Sequence, residues 1–182
     1  HIIIVEGVTL GTMAAYTQCA NATIAIKGAS ICISPATKTL VEVSAGQHTA
    51  AYIATDYKDA ANYARTLLDY LPDNNAASFN LAATEDDPNR LCARLNDLAE
   101  DGYNVKDVIS EIADNGKYIE MYGAFAEEMV TAFAFVDGQT VGVVANQYCI
   151  NDGRITAAAA LKGERFINLC NSYSIPVVFL AD

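Results

Sequence analysis

Apolar positions concentrate between Tyr118 and Gln147, in two runs, Val130–Val136 and Thr140–Ala145, separated by Asp137-Gly138. Asp-Gly between two apolar runs is a strong hairpin signal, because both residues tolerate positive φ. The second run, Val141 to Ala145, carries no alternating polar residue. It reads as a strand buried on both faces, in a sheet covered by helices. The run stops at Asn146-Gln147. Polar residues at the end of a buried strand are where α/β folds place ligands.

The same pattern assigns the rest of the chain. Ile2–Val5 is a short buried strand, and Thr23–Ile26 and Ser30–Ile33 are strand candidates around Lys27-Gly28. Ser34-Pro35 supplies a helix cap and a first-turn proline, predicting a helix over Ala36–Val43 that stops near Gly46. His48 falls in a polar turn and reads as a surface residue. Asp56 caps a helix whose stripe is Tyr57, Ala60, Ala61, Ala64, Leu68 and Leu71. Pro72-Asp73-Asn74-Asn75 ends it. Residues 73 to 89 are polar, with Glu85-Asp86-Asp87 before Pro88, and read as a solvated linker; a short helix is expected near Arg90–Ala99. Asn104 caps a helix over Val105–Ala113, Lys117–Met121 is a strand, and Asn151-Asp152-Gly153 is a turn. A helix over Ile155–Ser172 presents Phe166, Leu169, Cys170 and Tyr173 on one face, and Ile175-Pro176 opens a last strand. Strand, helix and strand over 139–180 form a βαβ unit with parallel strands. The class is α/β.

Composition narrows the partners. The 182 residues are 52% hydrophobic and 18% charged, with a net charge of −11. That charge argues against nucleic acid and anionic membrane surfaces, although a phosphorylated ligand needs only a local basic spot. No apolar run approaches the ~20 residues of a membrane span, and the opening IIIV is too short for a signal peptide. Five cysteines without CxxC spacing and only two histidines argue against zinc, so no metal is expected. Buried free thiols in a cytoplasmic protein are the plainer reading. The chain opens directly on a strand pattern and closes on another, which suggests a piece of a longer polypeptide.

Candidate chemistry lies at Gly7 to Asn21, GVTLGTMAAYTQCAN. A strand, a glycine turn and a helix start leave backbone N–H groups free for a phosphate or an oxyanion. A tight strand–helix packing turn is the alternative. Glu127 and Glu128 follow Phe125 on a possible helical turn and read as surface.

Residues 104 to 147 resemble the opening of the C-terminal domain of the acyl-CoA carboxyltransferases, subunits of biotin-dependent carboxylases and decarboxylases. The matching pieces are Asp107-Val108-Ile109, Asp114 to Glu120, and Gly142-Val143-Val144-Ala145-Asn146-Gln147. Downstream, Lys162, Arg165-Phe166, Cys170 and Ile175-Pro176-Val177 match the family's K-x-A-R-F-x-x-x-C-x-x-x-x-I-P pattern, and Asp182 resembles the Asp of its D-x-P-G-F segment. LLDYLPDNN and GVTLGTMAAYTQCAN resemble the end of the N-terminal domain and its G-x-x-x-G-G-A/M turn.

The resemblance implies a crotonase-like spiral of short ββα units, incomplete or permuted. It divides the chain into 1–79, the back of the acyl-CoA domain; 80–103, a linker; and 104–182, the front of the biotin domain. It implies carboxyl transfer between carboxybiotin, held on a separate carrier protein, and the α-carbon of an acyl-CoA, through an enolate. Gly11 and Thr12 would donate backbone N–H groups to the thioester oxygen. Gly7, Leu10 and Met13 would line that turn, and Asn146 and Gln147 the biotin side. Thr12 stands where the family has its second glycine, and Thr17 and Asn21 replace a Pro and an Asp. Such subunits form homo-oligomers, so a non-catalytic assembly unit is the alternative. A free-standing acyl-CoA hydratase or hydrolase would need a carboxylate near the turn, and residues 7 to 21 hold none.

Overall fold

The computed structural model describes residues 1–34, 39–42, 50–77, 81–87, 89–98 and 102–181. These form two compact units, His1–Thr66 and Leu67–Asp182, with the boundary inside a helix.

In the first unit, strand β1 (Ile2–Val5) pairs parallel with β3 (Ala22–Ile26), which pairs parallel with β6 (Tyr52–Ala54). A second sheet joins β2 (Val8–Thr9), β4 (Ser30–Ser34) and β5 (Thr39–Glu42). Helix α1 (Gly11–Cys19) follows β2. Ile24, Ile26, Ala54 and Ala60 make one buried cluster, and Val5, Ala14, Ala25, Ala29, Ile31, Cys32 and Ala50 another.

One expectation fails here. The described part of Ala36–Val43 is strand β5, antiparallel to β4, not a helix. Thr39-Leu40-Val41-Glu42 carries two β-branched residues, which suit a pleated surface once a partner strand is available. Residues 35 to 38, Gly46 and His48 lie outside the described residues. Strand β6 gave no clear sequence signal, because its three residues are too short for a period.

Helix α2 (Tyr57–Tyr70) forms as expected, with the Asp56 carboxylate accepting from the Asp59 amide at 2.8 Å. Its buried face is turned, however. Ala60, Leu67 and Tyr70 are buried, while Tyr57 and Leu68 are exposed. Two tyrosines explain the difference. Tyr63 stacks on Tyr52 at 4.1 Å, and Tyr57 instead sends its hydroxyl to Glu6 at 2.5 Å.

The second unit is one sheet in the order β10-β9-β8-β7: β7 (Tyr118–Met121), β8 (Met129–Val136), β9 (Gln139–Asn146) and β10 (Val177–Leu180). The hairpin turn places Asp137 and Gly138 at φ 51° and 73°, the signature of a type I′ turn. β10 lies parallel to β9, as the βαβ reading requires. Helix α3 (Val105–Ile112) covers one face, packing Val105 and Ile109 on Val141, Val143 and Ala145. Helix α4 (Ala157–Ser172) covers the other, with Phe166 tilted against Phe133 at 4.8 Å. Gly142 is part of that fit. A Cβ there would stand 2.6 Å from Cys170 Sγ and 3.1 Å from Phe166.

The acidic stretch is not a free linker throughout. Asp86 Oδ2 accepts from the Asn115 amide at 2.8 Å, and Asp86 Oδ1 pairs with Arg90 at 2.8 Å. Arg90 also reaches the carbonyls of Glu111 and Ala113. The Ala82 amide donates to Gly138 O at 2.8 Å. Residues 82 to 87 and 89 to 95 therefore run as a strap over the hairpin turn and the end of α3. The helix expected near Arg90–Ala99 is a single 3₁₀ stretch, Ala93–Asp97. Asp86, Asp87, Arg90, Glu111 and Asp114 line an open cavity of about 270 Å³ there.

Candidate functional site

The glycine turn is built by backbone conformation. Gly7 has φ +65° and its carbonyl accepts from Ser30 at 2.7 Å, fixing β2 beside β4. Gly11 opens α1 at φ +58°, a conformation that a Cβ penalises. Leu10 occupies the cap position, extended, and no side chain caps the helix. Its carbonyl accepts from Ala14 at 3.5 Å. The amides of Gly11, Thr12 and Met13 precede that bond, so the helix itself offers them no acceptor. No acidic residue stands in the first turn. An incoming oxyanion would meet only donors and the positive end of the helix dipole.

Thr12 fits this turn. It keeps a negative φ, so its Cβ costs nothing in the backbone, and the left-handed position falls on Gly11. Leu10 and Met13 are 57% and 55% exposed and flank the turn with apolar surface. Thr17 is buried, with its hydroxyl on Ala14 O at 2.7 Å and its carbonyl accepting from Thr23 at 2.9 Å. It anchors α1 to β3.

Asn146 and Gln147 sit at the C-terminal end of β9, and their polar atoms are engaged internally. Gln147 is 2% exposed. Its Oε1 accepts from the Val105 amide at 2.9 Å and its Nε2 donates to Asn104 at 2.7 Å. It thereby fastens the start of α3 to the strand end. Asn146 Nδ2 donates to Gly153 O at 3.3 Å.

Beside this strand end lies the β7–β8 loop, residues 122 to 128, which sequence patterning left without a role. Glu128 is no plain surface residue. Its carbonyl accepts from the Gln147 amide at 2.8 Å, and its carboxylate accepts from the Thr156 hydroxyl at the head of α4. Lys162, 2% exposed, donates to Phe125 O at 2.8 Å and Ala126 O at 3.4 Å. Burial lowers its pKa to about 8, with the Glu120, Glu128 and Glu127 carboxylates acting against that shift and Lys106 with it. The Arg165 guanidinium lies 5.4 Å from the centre of the Tyr122 ring. The lysine and arginine of the sequence motif gave the signal; their loop partners are visible only in three dimensions. Among the described residues, no three His, Cys, Asp or Glu side chains are placed to hold a metal. No described helix is long and apolar enough to cross a membrane.

Comparison with known proteins gives one consistent match. The family model described as the carboxyl transferase domain matches residues 41–182. The methylmalonyl-CoA decarboxylase subunit alpha of Veillonella parvula is 39% identical over 137 residues, 73% of this chain and 27% of that protein. The methylmalonyl-CoA carboxyltransferase 12S subunit of Propionibacterium freudenreichii subsp. shermanii is also 39% identical over 137 residues, covering 72% of this chain and 26% of its own. A transcarboxylase 12S crystal structure, a hexamer with methylmalonyl-CoA bound, superposes on 100% of this chain and 39% of its own, with a TM-score of 0.89 and 30% identity. The chain thus spans about a quarter of the length of these curated relatives.

Proposed function

The chain belongs to the carboxyl transferase domain family, and we propose that it is part of an enzyme moving a carboxyl group between carboxybiotin and the α-carbon of an acyl-CoA. The observation that carries this is its superposition, along its whole length, on a 12S structure that holds methylmalonyl-CoA. The fold is crotonase-like, as in that neighbour.

The chemistry assigned to the turn is electrostatic. As the C–N bond of carboxybiotin breaks and the new C–C bond forms, the α-proton leaves carbon for the ureido nitrogen. Negative charge passes through the thioester oxygen. The backbone N–H groups of Gly11 and Thr12 receive that charge, with Gly7 shaping the turn and Leu10 and Met13 covering the acyl group. Donors fixed before reaction need no reorganisation when charge develops. In this reading residues 1–79 belong to the acyl-CoA domain and 104–182 to the biotin domain, with Asn146 and Gln147 shaping the latter's edge. The partners are a biotin carboxyl carrier protein and further copies of the subunit, in the cytoplasm. The relatives named above are decarboxylase and carboxyltransferase subunits, and they lend no support to a non-catalytic assembly unit.

The test replaces Gly11. In the native polypeptide carrying this chain, Gly11→Val puts a β-branched residue at φ +58° and displaces the donors. Transfer from methylmalonyl-CoA to free biotin should fall by about 10²-fold, the scale of losing an oxyanion donor. Unchanged turnover with an unchanged fold would remove the thioester assignment.

A further inference from the structure

The β7–β8 loop is held in a conformation its own residues disfavour. Tyr122 has φ +59° and Ala126 has φ +44°. Neither is glycine, and a Cβ makes this region costly. Such backbone persists only where the surroundings impose it. Here two cations on α4, one turn apart, do so. Lys162 binds the carbonyls of Phe125 and of Ala126 itself. Arg165 covers the Tyr122 ring. A third constraint comes from β7 and α3. Glu120 pairs with Lys106 at 2.7 Å, and a Cβ at Gly123 would come 3.0 Å from the Glu120 carboxyl carbon.

A connection between adjacent antiparallel strands needs none of this. The β8–β9 hairpin of the same sheet turns in two residues, Asp137 and Gly138. The β7–β8 connection takes seven and buries a lysine to fix them. Burying an ammonium is unfavourable and needs compensating acceptors. The loop stands at the C-terminal end of β9, tied there through Glu128 O and the Gln147 amide. That end of a parallel strand pair is where α/β sheets bind ligands.

We propose that Lys162 and Arg165 are positioning residues that clamp residues 122 to 126 as a preformed wall of the site for the biotin ureido ring. The proposal rests on the carboxyltransferase reading. It assigns the two residues no contact with the reacting atoms.

Lys162→Met keeps the aliphatic stem and removes the clamp. In the native polypeptide, three amides should lose hydrogen-exchange protection: Phe125, bonded to Tyr122 O; Met129, bonded to Ala126 O; and Gln147, bonded to Glu128 O. Amides at the centre of β8 should keep theirs. With methylmalonyl-CoA as donor and free biotin as acceptor, KM for biotin should rise on the order of tenfold, the scale of a small misplacement. KM for methylmalonyl-CoA should rise by clearly less than KM for biotin, because Lys162→Met changes no residue of the Gly11 turn. Adding Ala126→Gly removes the Cβ penalty at φ +44° and should restore part of the lost KM, which a merely space-filling lysine would not allow. If Lys162→Met does not fold, Arg165→Leu carries the same comparison through Tyr122.

Unchanged exchange at the three amides overturns the clamp. Changed exchange with unchanged KM for biotin, or an equal rise in both KM values, overturns the positioning role. A wild-type protein that moves no carboxyl group between methylmalonyl-CoA and biotin overturns the functional reading instead, and with it the biotin wall; the exchange result then still decides the clamp.

Discussion

Several residues have their roles set by backbone geometry more than by side-chain chemistry. Gly138 is the sharpest case. It sits at φ +73°, and a Cβ there would stand 2.2 Å from the Ala82 carbonyl oxygen. Gly138 also accepts from the Ala82 amide and donates to Asp114 Oδ2 at 2.7 Å. Gly138→Ala therefore meets both a conformational cost of about 1–2 kcal/mol and a clash with the strap. Chemical denaturation should show a loss of about 2–4 kcal/mol, the scale of backbone strain with overpacking. A loss below about 0.5 kcal/mol, that of an ordinary surface substitution, would mean the strap does not lie on the turn. Asp-Gly is readable as a turn from the chain alone. That Ala82 closes over it is not, because Ala82 lies in a polar stretch with no period, far from Gly138 along the chain.

Elements were legible where their period was long. Helix α4, helix α3 and the hairpin lie where the apolar spacing puts them, and β9 is covered on both faces as its uninterrupted run implies. Helix α2 shows the limit of that logic. Its length and cap are in the sequence, but two apolar stripes that share Ala60 compete on its surface, one through Tyr57 and Leu68 and one through Leu67 and Tyr70. Stacking of Tyr63 on Tyr52 and of Tyr70 on Phe135, at 4.1 and 4.4 Å, selects the second. Leu67→Ala should cost about 2–4 kcal/mol, as for other buried leucines, while Leu68→Ala should stay within about 0.5 kcal/mol. Thermal or denaturant unfolding of the pair checks the facing, and the reverse ranking would restore the stripe read from sequence.

At the scale of the whole molecule, the described chain is two compact units, each with its own sheets and buried clusters. The strap of residues 82 to 87 and 89 to 95 belongs to the second. Its anchor is titratable. The Asn115 amide, and after it Arg90, hold the Asp86 carboxyl below its usual range. The unfolded chain therefore binds the Asp86 proton at higher pH than the folded one. The stabilisation is complete above the unfolded value of about 3.9 and is lost as pH falls through the lower folded value. Asp86→Asn should lower the denaturation midpoint at pH 7, and the gap from wild type should narrow below pH 4. A gap that stays constant down to pH 3 would mean the carboxylate contributes nothing as an anion.

The amino-acid sequence determined the α/β class, the buried hairpin, the parallel βαβ unit and the family, because each rests on local period, turn chemistry or adjacent motif residues. It also marked Gly7 and Gly11, since positive φ leaves a compositional trace. Tertiary structure alone decided which face of α2 is buried, that residues 39 to 42 pair as a strand, and that part of an acidic stretch is a strap. It also decided what Lys162 and Arg165 grip. Each depends on contacts between residues far apart in the chain, whose strength no local pattern encodes. The hairpin's last residues, Asn146 and Gln147, show the division. Their position was readable, but only the fold directs Gln147 inward to fasten α3, while Gly11 and Thr12 stay exposed at the start of α1.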